Sequence, residues 1–214
     1  MRVFVLSTGR SGSTTFTKAC KHINNYTAGH EINAGKIGEE RYNYPDNHIE
    51  SDNRLCWHLG QLHELYSDED TVYVYIRREK NKVAGSFMRR YFKPTSIIDA
   101  FCEGIQQMPP EKLSKDERLE ACHDYIDTLE ANVRFFMSHK PNTFYMQLEN
   151  MQNEFIRFWK FIGAEGNLDE ALEEFKRQHN ASHKRKLHFL YRYKLLAKRE
   201  IKHWKSTVAD QFNS

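Results

Sequence analysis

The residues with the clearest chemical reading are Thr8-Gly9-Arg10-Ser11-Gly12-Ser13-Thr14, set between the apolar run Val3–Leu6 and the amphipathic stretch Thr14–Ile23. Gly9 and Gly12 permit a tight turn and close backbone approach. Ser11, Ser13 and Thr14 offer hydroxyls, and Arg10 carries a permanent positive charge. A turn joining a buried strand to a helix gathers backbone N–H groups and the helix dipole at one point, which suits an anion. The pattern is not a Walker A loop, which needs a lysine before its final Ser/Thr. Here Gly12 runs directly into Ser13-Thr14, and a G-x-G-x-x-G dinucleotide pattern is absent too. An ordinary ATPase or kinase is therefore disfavoured.

Charge is spread unevenly. The chain has 214 residues and a net charge of +3, yet residues 176–205 hold eleven Lys or Arg against the single acid Glu200. Such a block attracts an anion, either a nucleic acid or a phosphorylated small molecule. Hydrophobic residues make up 39% of the chain, enough for a packed core, while no apolar run approaches the ~18 residues of a membrane span. Met1–Ser7 reads as a first strand rather than a secretory signal, so a cytoplasmic protein is expected. Cys20, Cys56, Cys102 and Cys122 are scattered with no C-x-x-C pair, which points to buried reduced thiols and to no metal site.

The elements that must position the loop alternate in type. Val3–Leu6 is expected as a buried strand, Thr14–Ile23 as a helix and Tyr26–Ala28 as a short second strand. Asn33–Asn53 is polar, with Gly35, Gly38 and Pro45, and reads as a long loop or lid. Arg54–Tyr66 is expected as a helix, Thr71–Ile76 as the clearest strand and Lys80–Tyr91 as a helix. Ser114 and Glu117 form a capping box that opens a helix running to about Ser138. Thr143–Gln147 follows as a strand and Gln152–Ile162 as a helix stopped by Gly163. Asn167 caps Leu168–Gln178, and a last helix carries Leu190, Ala197, Ile201, Trp204 and Val208. The expected architecture is α/β: one domain over residues 1–214, in three layers about a central parallel sheet. A P-loop-like strand–loop–helix opens it, and ligands belong at the carboxyl ends of the strands.

Gly9-Arg10-Ser11-Gly12-Ser13-Thr14 resembles the phosphosulfate loop of the sulfotransferases that use 3′-phosphoadenosine-5′-phosphosulfate (PAPS), P-[KR]-[SA]-G-[ST]-[ST]. Gly9 stands in place of the proline and Arg10 in the lysine position. A second block is similar: Val72-Tyr73-Val74-Tyr75-Ile76-Arg77-Arg78, then Ser86, fits a strand ending in arginine with a serine on the next helix. The resemblance implies that Arg78 and Ser86 grip the 3′-phosphate, although Arg77 leaves the arginine ambiguous by one residue. The family's Arg-Asp-Pro is Arg78-Glu79-Lys80 here. Phe144–Asn150 followed by Phe158–Gly163 is similar to the family's later strand–helix unit, with Glu149 falling late. His179–Lys186 occupies the place of a basic loop over the nucleotide, which implies contacts from Lys184 or Arg185.

What the resemblance implies is transfer of a sulfonyl group from PAPS to a hydroxyl or amine, releasing adenosine 3′,5′-bisphosphate and using no metal. Gly9, Arg10, Ser11, Gly12, Ser13 and Thr14 would bind the phosphosulfate, with Arg10 meeting the charge on the leaving oxygen. His30 and Glu31 follow the second strand, and Glu31 is the favoured general base with His30 the runner-up. His58 and His63 read as surface or satisfied core residues. A small-molecule or glycoside acceptor is expected, with no nucleic-acid or membrane partner. The acceptor's identity and the oligomeric state are left open. Two other readings stand beside this one: a nucleic-acid-binding module built on residues 176–205, and an atypical P-loop phosphotransferase.

Overall fold

The computed structural model describes residues 1–93, 96–109 and 111–177, together with Leu190, Tyr193, Lys194, Ala197 and Ile201. The chain divides into two compact units, residues 1–83 with 126–181, and residues 84–125 with 182–214.

The first unit is a five-stranded sheet in the order β2-β3-β1-β4-β5. Its strands are β1 (Arg2–Ser7), β2 (Thr27–His30), β3 (His48–Ser51), β4 (Thr71–Arg77) and β5 (Thr143–Gln147). Every pairing is parallel. Strands buried on both faces read as continuous apolar runs, which is why β1 and β4 are plain in the sequence. Residues on one face (Val3, Val5, Ile49, Val72, Val74 and Ile76) pack against Phe16, Ala19 and Cys20 of α1 (Ser13–Cys20). The same layer holds Phe155, Phe158 and Trp159 of α6 (Met151–Phe161) and Ala171 of α7 (Leu168–Lys176).

On the other face, Phe4 lies 5.4 Å from the Tyr44 ring and 4.9 Å from Tyr66. There too Tyr73 meets Phe136 of α5 (Lys115–Met137) edge-on at 4.8 Å. The Tyr73 hydroxyl donates to backbone carbonyls of Leu62, in α2 (Leu59–Leu65), and of Tyr66. Helical layers on both faces make the expected three-layer α/β arrangement.

In the second unit, α3 (Lys80–Met88) ends, α4 (Ile97–Ala100) leads into a π-helical turn over Phe101–Ile105, and α5 begins. Tyr125 packs edge-on against Phe87 at 5.3 Å and Phe101 at 5.5 Å. The Arg118 guanidinium lies over the Tyr91 and Phe92 rings. The capping box is formed: the Ser114 amide donates to Glu117 Oε2 at 2.7 Å, and the Glu117 amide to Ser114 Oγ at 3.3 Å. All four cysteines are free and buried. Among the described residues no helix is long and apolar enough to cross a membrane.

Two expectations are corrected. Asn33–Asn53 is not only loop: it contains a 3-10 turn (Gly38–Arg41) and the whole of β3. Arg54–Tyr66 is not one helix, because a 3-10 turn (Asn53–Trp57) precedes α2 and breaks at His58 (φ −120°, ψ 26°). Asp52 starts that turn by accepting the Arg54 amide at 2.8 Å. Of the residues expected in the last helix, Leu190, Ala197 and Ile201 are helical, while Trp204, Val208 and most of the basic block lie outside the described residues.

The polar strand β3 is held by partners. His48, Glu50, Ser51 and the following Asp52 are all buried. Asp52 Oδ2 takes a 2.6 Å ion pair from Arg41, whose guanidinium also donates to the Tyr44 hydroxyl at 2.8 Å. Removing one member of such a pair strands the other charge in the interior. Asp52→Ala should therefore lose about 3–5 kcal/mol in urea denaturation. Asp127→Ala, which breaks an exposed pair with Lys80, should lose less than about 1 kcal/mol.

Candidate functional site

Strand order decides where a ligand can sit. From β1 the chain passes over the α1 face to β2, and from β4 it passes over the opposite face, through α5, to β5. The two crossovers thus leave in opposite directions from neighbouring strands, the arrangement in which open α/β sheets take ligands beyond the carboxyl ends of those strands. Ser7 and Arg77 end these strands, with Thr8–Gly12 and Arg78 immediately beyond.

The loop is tightly wound. Gly9, Arg10 and Gly12 all have left-handed backbones, with φ of 77°, 61° and 82°. The Gly9 amide donates to Ser7 Oγ at 3.2 Å. The fully buried Ser11 donates its hydroxyl to the Gly9 carbonyl at 3.2 Å and lies 3.1 Å from Thr8 Oγ1. These bonds use Ser11 to brace the turn. Gly12 is the residue before α1, and a Cβ there would fall 2.5 Å from Leu148 Cδ1. Helical geometry leaves the first amides of α1, at Ser13, Thr14 and Thr15, without intrahelical acceptors.

Two more predicted residues meet this loop. Arg78 donates from Nη1 to the Arg10 carbonyl at 2.8 Å, clamping the turn from the β4 side. His30, at the end of β2, places Nε2 3.2 Å from Ser13 Oγ and 3.3 Å from Thr14 Oγ1. Loop, Arg78 and His30 therefore converge on the start of α1. The two adjacent arginines separate: Arg77 turns away to Glu130 of α5 at 3.1 Å. Glu31, left-handed at φ 57°, points its carboxylate to Arg54 at 2.7 Å. Ser86 is buried on α3, in the second unit. Lys184 and Arg185 lie outside the described residues. His58 accepts or donates at 2.8 Å to the Tyr42 hydroxyl, and burial followed by the nearby Arg41 charge lowers its pKa.

Three supports were not read from the sequence. Arg54 is the partner of Glu31, while β3 holds the turn that displays His30 and Glu31. The Glu31 amide donates to the Ser51 carbonyl at 3.1 Å, and the Ile32 amide to the buried Glu50 carboxylate at 3.0 Å. Glu50 Oε2 lies 3.2 Å from His48 Nε2, and a Cβ on Gly29 would fall 2.6 Å from it, so this packing requires glycine. Beyond β4, Glu79 caps α3, accepting the Asn81 and Lys82 amides at 2.7 and 3.0 Å. Glu149 in turn accepts the Glu79 amide at 3.2 Å and the Gln147 side-chain amide at 2.6 Å.

A scan against models of known protein families and a search of the curated proteins find no match to this chain.

Gly12→Ala should cost about 1–2 kcal/mol, the penalty of a left-handed backbone for an L residue. Leu148→Ala in the same chain should recover little of it in chemical denaturation, because the leucine tip can rotate away while φ cannot. Glu149 supplies a pH test. Burial opposes its ionisation, but the bonds from Gln147 and the Glu79 amide, with the Lys82 charge, outweigh it and hold its pKa below the ordinary value. A carboxylate depressed in the folded state stabilises above its unfolded pKa and loses that contribution as pH falls through the folded one. Glu149→Gln should therefore be less stable than the parent at pH 7, and the gap should close as pH falls below the ordinary carboxylate range and through the folded pKa.

Proposed function

We propose that this chain is a PAPS-dependent sulfotransferase, passing a sulfonyl group to a hydroxyl or amine of a small-molecule or glycoside acceptor. The observation that carries the reading is the 2.8 Å bond from Arg78 to the Arg10 carbonyl. It puts a second guanidinium on the rim of an anion loop that has no Walker lysine. A nucleotide bearing phosphate at both ends of its ribose needs two such cationic points, whereas an ordinary nucleoside triphosphate needs one with magnesium. The donor fits the residues present: left-handed loop amides and the α1 terminus for the phosphosulfate, and Arg78 for a ribose phosphate.

Bound PAPS supplies an activated sulfonyl group, and the residues of the chain do the rest by position and charge. Arg10 and the loop amides meet the negative charge that develops on the leaving phosphate oxygen. Ser13 and Thr14, oriented through His30 Nε2, add hydroxyl donors there. Glu31, oriented by its ion pair with Arg54, takes the acceptor proton. His30 is the alternative base and already stands at the loop.

Adenosine 3′,5′-bisphosphate separates this reading from a P-loop phosphotransferase and from a nucleic-acid module. At about a hundred times its dissociation constant it should stabilise the chain by ~2.7 kcal/mol, roughly 5–10 °C in melting temperature. ATP with magnesium and AMP should do far less. Equal stabilisation by ATP and magnesium would overturn the assignment. Arg78→Ala should abolish the preference for the 3′-phosphate. Arg10→Ala should lower turnover by ~10²–10³. Glu31→Ala should leave nucleotide binding intact and impair turnover, and full turnover in that variant would pass the role of base to His30.

A further inference from the structure

Away from the loop, α2 and the last turns of α5 border a cleft of about 580 Å³ in the first unit. Its walls are aromatic: Trp57, Phe136 and Phe135, the last 72% exposed. A volume of this size lined by aromatic groups with few polar ones is the usual form of a small-molecule site. Phe135 leaves its ring in water, beside the His139 ring at a centroid distance of 4.7 Å. An occupant lying on it would bury that face.

Gly60 is a second, independent sign. It sits in the first turn of α2, on the cleft, and a Cβ built there meets no atom within 4 Å. Glycine in a helix destabilises relative to alanine, and neither packing nor backbone conformation calls for it here. Its effect is to leave the α2 side of the cleft mouth open.

The polar groups at the rim are two histidines and an amide. His63 Nδ1 lies 2.8 Å from the Lys140 ammonium, so it accepts and the ring proton is on Nε2. His139 Nδ1 lies 2.8 Å from the Phe135 carbonyl, so it donates. Asn132 adds an amide. The His63 ring thus has an N–H free of that bond, a donor that suits a hydroxyl oxygen. The inner wall, Cys56, donates its thiol to the Ser7 carbonyl at 3.4 Å. The cleft thus abuts the residue from which the anion loop departs.

We infer that the cleft between α2 and α5 binds a planar aromatic molecule bearing a hydroxyl. This site is separate from the anion loop, and the inference holds whether or not the loop takes PAPS. 2-Naphthol is the probe. Titrated into the full chain labelled with ¹⁵N, it should bind saturably and shift the amide signals of Gly60 and Asn132. Calorimetry should show cyclohexanol binding at least tenfold more weakly. Gly60→Leu, which narrows the cleft mouth, and Phe135→Ala, which removes an exposed ring without touching the core, should each weaken 2-naphthol at least tenfold. Absence of saturable shifts at Gly60 and Asn132, equal affinity for cyclohexanol, or unchanged affinity in the Phe135→Ala protein would each overturn the inference.

Discussion

Six residues of β1, Arg2 to Ser7, pair in register with Thr71 to Ile76 of β4, and the candidate site hangs on that pairing. Parallel strands end at the same edge of a sheet. The turn after Ser7 and the arginine after Arg77 therefore arrive side by side, although nearly seventy residues of chain separate them. Because the connections from these strands leave over opposite faces, nothing in the sheet closes the space between them. The Arg78–Arg10 bond fixes the register of the turn against that crevice. A slip of one residue in β4 would exchange Arg78 for Arg77, whose guanidinium is committed to Glu130 on the far face.

The second constraint is β3. A strand of His, Ile, Glu and Ser buried on every residue carries a desolvation cost that an apolar strand would not. That cost is offset by bonds that reach outward to the site: Ser51 and Glu50 hold the turn carrying Glu31, and Asp52 holds both Arg41 and the turn carrying Arg54. The Glu31–Arg54 pair is thus fixed at both of its backbone anchors by one strand. A pair with side chains about one-third exposed contributes little to stability by itself. Its orientation comes from this buried scaffold, which is where substitutions should be felt.

How much of this was legible follows from what each residue is doing. The strand–loop–helix unit was readable because an apolar run, two glycines and an amphipathic stretch are each a local signal. The Ser114–Glu117 box was readable for the same reason. β3 was not, because its polar side chains are satisfied by partners distant in sequence, and polarity without local alternation reads as loop. The choice between Arg77 and Arg78 was open because β4 is buried on both faces, so its pattern carries no parity to show which side a terminal arginine takes. Arg54 could not be tied to Glu31 without knowing that β3 lies between β1 and β2. Leu148 against Gly12 likewise needs the sheet order.

Among the described residues four non-glycines have positive φ, and two of them, Arg10 and Glu31, stand just past the carboxyl ends of β1 and β2. Each such backbone costs about 1–2 kcal/mol, and each is pinned by neighbours: Arg10 through Arg78, Glu31 through Ser51 and the following Glu50 contact. Glycine would adopt either conformation without that cost. What the side chains add is a guanidinium and a carboxylate, of opposite sign, held by strained turns beyond neighbouring parts of one sheet edge. Strain of this kind persists where the surroundings over-determine it, and it gathers where a group must be in place before a ligand arrives. The fold thus concentrates rigid backbone at this edge, at two positions that carry charges of opposite sign.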